Sequence, residues 1–256
     1  MSNIEASFSI LKNPNILIYI GKGVLFTLII SVIAVLSGIL LGSVLALVRN
    51  YCKKGRIQKL FYYIAVWYIE IFRNTPLLLW IFICLVFCPA PSLFNRKLFG
   101  LTTVETKLLF KASVALILFT SSVIAEIIRG GLNAIAKGQF EAAHSQGFNI
   151  VQTFVYIILP QAFRNVTPTL LSQVTSTIKD SSYLANVAVI ELMARTKQIL
   201  SAANQYNGTG TIHVSDVFVL FGFAALIYFI INYTLSCIVR SMQKRAKKAK
   251  RAADAQ

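Results

Sequence analysis

Apolar residues along this chain come in long unbroken runs, separated by short polar or basic stretches. They lack the period-two alternation of a barrel strand, so helices that satisfy their own backbone are the expected way across a bilayer. Runs of about 18–20 apolar residues are long enough to cross. The pattern predicts an all-α integral membrane chain with apolar spans at about residues 23–48, 60–88, 108–128 and 217–239. Residues 1–18 are more mixed and read as a short helix along the membrane surface. One side of the first span carries Thr27, Ser31, Ala34, Gly38, Gly42 and Ala46. Small residues at that spacing let helices approach closely, within the bundle or in a dimer; packing within the bundle is the expected use.

Polar positions interrupt this pattern in three places. The second run holds Glu70, Arg73, Asn74 and Pro76 in its middle. Pro76 removes a backbone donor and disfavours helix at Thr75, so the span is expected to break or kink there. Glu70 and Arg73, three residues apart, can pair on one helix as a brace, or serve as a gate. Glu126 and Arg129 repeat the spacing at the inner end of the third span and read as structural. The stretch 163–190 has eight Ser or Thr between Thr167 and Ser182, plus Gln173, Lys179 and Asp180. A hydropathy window rejects it as a span.

Charge decides that case. Arg49–Lys59 has five basic residues and no acid, and the chain from Arg240 onward has seven basic residues and one acid, both beside apolar runs. The positive-inside rule places both in the cytoplasm, which requires 163–190 to cross as well. Basic residues then divide 15 inside against 8 outside, with Arg73 and Lys179 in the membrane. The expected topology has five transmembrane helices, N-terminus outside and C-terminus inside, with outer loops at 89–107 and 191–216. The whole of 1–256 reads as one membrane domain without internal repeats.

The third interruption is residues 130–160, which this topology places in the cytoplasm. Gly138–Pro160 is amphipathic and too short to cross. Gln139–Gln146 is expected to form a short helix, Gly147 to allow the turn into the next, and Pro160 to close the unit.

Composition narrows the function classes. Of 256 residues 56% are apolar and only 13% charged, against about a quarter charged in a soluble domain. The net charge of +16 is used up by topology and contact with the lipid bilayer, including anionic headgroups at the tail Lys244–Arg251, so no nucleic-acid partner is expected. Cys52, Cys84, Cys88 and Cys237 are scattered, and His144 and His213 are isolated, so neither a metal site nor a disulfide framework is expected. The N-terminus has no basic stretch followed by a cleavage site, so no removed signal peptide is expected. No P-loop motif occurs. ATP binding belongs to another polypeptide.

Glu141-Ala142-Ala143, Gly147, Ile157, Leu159 and Pro160 match the E-A-A-x3-G-x9-I-x-L-P signature of ABC importer permeases at every defined position. The chain also resembles the polar amino-acid branch of that family, through Gly38–Arg49, Glu70–Leu79, Ala125–Ala143, Leu159–Ala162 and Ile178–Ser182. The likeness extends from about Gly21 to Arg240. It departs where the family usually has Pro for Ala136 and Thr for Ser181. The resemblance implies a permease subunit in a bacterial cell (cytoplasmic) membrane, working as one of two such subunits, identical or not. Two ATP-binding cassette subunits would bind ATP and Mg, so no cofactor belongs to this chain, and an extracellular binding protein would deliver an amino acid such as glutamine, glutamate or cystine. By the same resemblance the coupling residues facing the ATPase are Gln139, Glu141, Ala142, Ala143, His144 and Gly147.

The polar span supplies the candidate path. Ionisable groups inside a membrane are costly unless paired or beside water, and a zwitterionic amino acid suits adjacent opposite charges. Gln173, Ser176, Lys179, Asp180 and Ser182 are therefore the expected path residues. The alternative use of Lys179 and Asp180 is structural pairing with Glu70 or Arg73. Two further readings of the whole chain remain at this level: a self-sufficient ion-coupled transporter, and a non-transporting membrane scaffold.

Overall fold

The computed structural model describes residues 3–253 apart from 54, 96, 98 and 99, with side chains from Ile4 to Lys244. Lys54 of the inner basic run and the tail side chains beyond Lys244 lie outside the described residues. All regular structure among those described is helical. Three helices are long and apolar enough to cross a membrane: Pro14–Tyr51 (α2), Thr103–Asn133 (α5) and Val214–Lys244, the apolar part of Val214–Ala253 (α11). The pair Arg56–Arg73 (α3) and Leu77–Phe87 (α4) makes a fourth when taken as one broken span. At 1.5 Å per residue α2 is about 57 Å long, well beyond the roughly 30 Å hydrocarbon core. The expected start at residue 23 therefore misses its first turns, which begin with Pro14 at the position where a missing N–H costs nothing.

The chain divides into two compact units, formed by Met1–Ala34, Leu77–Leu116 and Ser176–Thr234, and by Val35–Pro76, Ile117–Thr175 and Leu235–Gln256. In the first, Asn3–Lys12 (α1) is a packed helix and not a surface appendage. Ala6, Ser7 and Ile10 are buried, and Ile10 joins Ile16, Ile20, Leu192, Ile199, Ala203 and Leu220 in one core. Asp216, buried at the head of α11, ties the ends of this unit. It accepts from Ser7 Oγ at 2.6 Å, Asn207 Nδ2 at 2.9 Å and His213 N at 2.9 Å. Residues 191–216, expected as an outer loop, contain Leu192–Ser201 (α9) and Ala203–Tyr206 (α10). Leu192 and Ile199 lie two turns apart on one face with Arg195 and Thr196 buried between them, and burying this face makes the stretch a folded element. α4 buries Leu77, Ile81 and Cys84 along one face, and the Lys111 ammonium donates to Leu85 O at 2.8 Å near its C-terminal end, where a cation is favoured.

In the second unit the small stripe on α2 serves packing. A Cβ on Gly42 would lie 2.8 Å from Ser121 O and 3.0 Å from Ala125 N of α5, and one on Gly38 3.2 Å from Thr120 Cγ2. α3 lays Ala65, Ile69 and Phe72 inward, and Tyr68 donates its hydroxyl to Leu118 O at 2.9 Å.

Leu159–Asp180 (α8) is the polar segment. At 22 residues it is about 33 Å long, enough to cross, although its composition keeps it out of the apolar spans. Its hydroxyls bond to its own carbonyls: Thr167 to Phe163 O at 2.6 Å, Ser172 to Pro168 O at 3.1 Å and Thr175 to Ser172 O at 2.7 Å. Side chains satisfied this way lose much of the cost of entering lipid. The helix does not continue to 190. It passes at Ser181 into a 3-10 helix, Ser181–Val187, and ends on Ala188 in the left-handed region at φ 57°.

Candidate functional site

Within residues 130–160, Ala136 has φ −61° and ψ 137°. Proline locks φ near that value, so alanine here keeps the backbone that the family's usual proline enforces. Lys137–Ser145 forms α6. It ends in a Schellman motif: Phe148 N donates to Ala143 O at 3.1 Å and Gly147 N to His144 O at 3.0 Å, with Gly147 at φ +82°. Nothing crowds a Cβ on Gly147; the glycine is there for its left-handed backbone. Asn149 then caps the short helix Ile150–Gln152 (α7) through a reciprocal box, Gln152 N to Asn149 Oδ1 at 2.8 Å and Asn149 N to Gln152 Oε1 at 3.0 Å.

The coupling candidates separate by burial. Gln139, Glu141, Ala142 and His144 are exposed on α6, whereas Ala143 is buried and held inside the segment. Gln139 Oε1 also accepts from Gln161 Nε2 at 3.0 Å. Pro160, expected to close the unit, instead sits in the first turn of α8, directly after a π-helical turn, Thr153–Ile158. A proline cannot donate and is tolerated in a first turn, and the wider preceding turn accommodates the break in the ladder.

In the same unit, from the last turn of α2, five charged groups meet. Glu126 Oε1 accepts from Arg49 Nη1 at 2.7 Å and Arg129 Nε at 2.9 Å. Its Oε2 accepts from Arg129 Nη2 at 2.8 Å, and Arg73 Nη1 lies 3.6 Å away. Arg49 Nη2 donates to Glu70 Oε1 at 2.8 Å, and Asn74 Nδ2 to Glu70 O and Oε2 at 2.8 and 3.1 Å. The brace expected between Glu70 and Arg73 is thus an interhelical network over α2, α3 and α5. The break between α3 and α4 falls at Asn74-Thr75-Pro76 as expected. Arg49, assigned from sequence to the solvated basic run, has a side chain only 18% exposed. It is in the last turn of α2 because the helix runs on to Tyr51.

The path candidates lie along α8 and its 3-10 extension. Gln173, Ser176 and Asp180 fall within about 60° of one another around the helix at 100° per residue; Lys179 points about 100° from Asp180 and is exposed, with Asp180 half-buried. Ser182 Oγ donates to Lys179 O at 2.7 Å. Lys179 and Asp180 therefore present opposite charges in different directions.

Sequence reasoning missed a buried acid. Glu191 is fully buried and caps α9, accepting from Met193 N and Ala194 N at 2.8 Å each and from Tyr228 Oη at 3.0 Å. Thr27 Oγ1 lies 3.4 Å from the carboxylate and accepts from Leu192 N at 3.2 Å. Burial pushes the Glu191 carboxyl above its usual range, against the hydrogen bonds that pull it down. One turn on, Arg195 lays its guanidinium 4.1 Å from the Tyr19 ring centre and donates to Tyr19 O at 3.2 Å, and burial lowers its pKa. Gly23 makes room, since a Cβ there would sit 2.8 Å from Arg195 Cδ. Glutamate is not a preferred cap residue, which is why spacing alone gave no signal.

A multi-helical membrane chain with a short, sharply terminated helix between apolar spans, and one span broken at a polar turn, has the parts of a transporter's membrane subunit. Residues 38–248 match the family described as binding-protein-dependent transport system inner membrane component, and the chain belongs to that family. It is 35% identical over 231 residues to the probable glutamine ABC transporter permease protein GlnP of Bacillus subtilis, covering 90% of this chain and 94% of that one. It is 30% identical over 245 residues to the arginine transport system permease protein ArtQ of the same organism, covering 96% and 98%. Among solved structures it is similar to an amino acid ABC transporter, with a TM-score of 0.70 and 28% identity over 89% of this chain and 94% of that one. The methionine transporter MetNI, at 17% identity, shares the fold with a TM-score of 0.65 over 90% and 98%.

Proposed function

We propose that this chain imports a polar amino acid as the permease subunit of an ATP-driven transporter in a bacterial cytoplasmic membrane. The observation that carries this reading is full-length similarity to permeases named for glutamine and arginine. Two permease subunits enclose the path, each with five spans, the N-terminus outside and the C-terminus inside. Two ATP-binding cassette subunits, which bind the ATP and Mg, dock on α6 through Gln139, Glu141, Ala142 and His144. Ala143, buried within the segment, sets the shape of that helix, and the exposed Gly147 joins the docking surface at its C-terminal turn. An extracellular binding protein delivers the substrate.

Within the path, Lys179 meets the substrate carboxylate and Asp180 its ammonium, with Gln173, Ser176 and Ser182 beside them. Glu70 pairs with Arg49 and Asn74, and Arg73 lies against Glu126, which favours this role over the structural pairing of Lys179 and Asp180 with Glu70 or Arg73. The network of Glu70, Arg73, Asn74 and Pro76 with Arg49, Glu126 and Arg129 braces the helices. The test is reconstitution with the ATPase and binding protein, followed by glutamine uptake and glutamine-stimulated ATP hydrolysis. Lys179→Met is expected to reduce both by tenfold or more, an ionic contact being worth about 1.5–3 kcal/mol. Unchanged rates in that variant remove Lys179 from the path.

A further inference from the structure

Glu191 makes more contacts than a helix cap requires. Asparagine, aspartate and serine are the preferred caps, and a shorter side chain of that kind serves free N–H groups without burying a longer acid. A buried carboxylate is costly unless its acceptor positions are used. Here they are used in two directions. Oε1 takes the Ala194 N–H, and Oε2 takes both the Met193 N–H and the hydroxyl of Tyr228 on α11. The added reach of glutamate therefore joins the head of α9 to α11, with Thr27 of α2 beside the same oxygen.

Tyr228 carries this connection toward the path candidates. Its hydroxyl lies close enough to the side chain of Ser181 to interact with it. Ser181 is fully buried, follows Asp180 directly, and opens the 3-10 helix Ser181–Val187. That helix packs against α9 and α4, with Leu184 and Val187 buried. Its far end turns back to Glu191: Val189 N donates to Leu184 O at 3.3 Å, and Glu191 N to Val189 O at 2.9 Å. Ala188, within this turn, has φ 57°. A side chain with a Cβ disfavours that left-handed conformation and keeps it only where its surroundings hold it. The 3-10 helix is thus tied at both ends, through Ser181 to Tyr228 and through the turn to Glu191. All of these residues belong to one compact unit.

We propose that Glu191 is a positioning residue for transport: its bond to Tyr228 fixes the 3-10 helix that follows Lys179 and Asp180, and so sets where those two charges stand in the path. Glu191 does not meet the substrate. It acts through Tyr228 and Ser181, and it makes the placement of the path charges depend on the seating of α9. The inference rests on the path role proposed for Lys179 and Asp180.

The first measurement needs no transport: amide exchange in the purified full chain in detergent. Tyr228→Phe removes one hydroxyl and keeps the ring. It should speed exchange over 181–187 by about threefold to tenfold, the effect of one net hydrogen bond. Asp216→Asn, at another buried acid of the same unit, is the control; it should speed exchange at the start of α11 and leave 181–187 unchanged. The second measurement uses proteoliposomes with the permease, ATPase and binding protein, and reads labelled glutamine taken up per ATP hydrolysed. That ratio does not depend on how much protein is folded, so a loss of stability alone does not move it. Tyr228→Phe and Glu191→Gln should each lower it by about threefold or more. The two together should lower it little further than Glu191→Gln alone, because both remove the same bond. Asp216→Asn should leave the ratio unchanged. If Glu191→Gln fails to fold, Tyr228→Phe carries the test. Unchanged exchange over 181–187 in Y228F overturns the tie. Faster exchange with an unchanged ratio overturns the positioning role and leaves Glu191 a structural cap. An unaltered complex that takes up no glutamine on ATP overturns the transport reading and the role together, and the exchange result then still decides the tie.

Discussion

Glu126 faces three guanidinium groups, those of Arg49, Arg129 and, at 3.6 Å, Arg73, and Glu126→Gln should destabilise the chain more than any other change in that network. The substitution keeps the volume but removes the charge and turns one acceptor into a donor facing Arg49, Arg73 and Arg129. Breaking a fully buried ion pair costs about 3–5 kcal/mol. Here the Glu126 side chain is 14% exposed and those of Arg129 and Arg73 are 34% and 41% exposed, so solvent recovers part of the loss and about 2–3 kcal/mol remains. At roughly 2–4 °C per kcal/mol for a chain of this size, the melting temperature should fall by about 4–12 °C. The assay is thermal unfolding of purified protein in detergent, followed by tryptophan fluorescence and by size exclusion. Arg73→Met is the internal control: its contact is long at 3.6 Å and its side chain is the most exposed of the three arginines, so the cost should be about 1 kcal/mol or less. Arg49→Met combined with Glu126→Gln should fall short of the sum of the single changes, because the two share one contact. A neutral Glu126→Gln, or an Arg73→Met of equal cost, would refute the reasoning that Glu126 centres the brace.

Three further outcomes follow from local geometry. Gly147→Ala forces a Cβ into a left-handed residue and should cost about 1–2 kcal/mol at the end of α6, seen as faster amide exchange over 137–148 and weaker substrate stimulation of ATP hydrolysis. Ala136→Pro should raise the melting temperature slightly, by about 0.4–1 kcal/mol of reduced unfolded-state freedom, because the residue already has a proline-like φ. Glu191 has its folded pKa raised by burial, so the folded state holds its proton longer than the unfolded chain does. Its contribution is fully present below the usual carboxylate range and is lost as pH rises through the raised value. Melting temperature should therefore decline with pH above the usual carboxylate range, and Glu191→Gln should flatten that slope; an unchanged slope contradicts the assignment.

The apolar spans, the break at Asn74–Pro76 and the short helix α6 were readable because each has a short-range signature: an apolar run, a missing donor, a capped amphipathic turn. Their ends were not. Apolar composition falls off at the membrane boundary, but the helix does not stop there, and so α2 and α5 carry Arg49 and Arg129 past the expected limits into the network. Residues 191–216 read as loop because the topology count leaves them between spans and Asn207, Gly208, Gly210 and Asp216 are turn-type residues. Only the fold reveals that Glu191, Asn207 and Asp216 are buried with hydrogen bonds. Pro160 misled for the opposite reason: a proline reads as a stop, yet after a π-helical turn it starts α8. Leu47, Tyr51, Phe140 and Phe154 come together beside α6 only through tertiary packing, which leaves no trace in sequence.

The central claim is that work reaches this chain from a separate ATPase through α6. It is tested most directly in proteoliposomes holding the permease, ATPase and binding protein, by measuring uptake of labelled glutamine with and without internal ATP and with and without an ionophore. The account predicts uptake that requires ATP, ignores the ionophore, and is lost with Glu141→Arg on α6. Uptake that persists without ATP and collapses with the ionophore contradicts it.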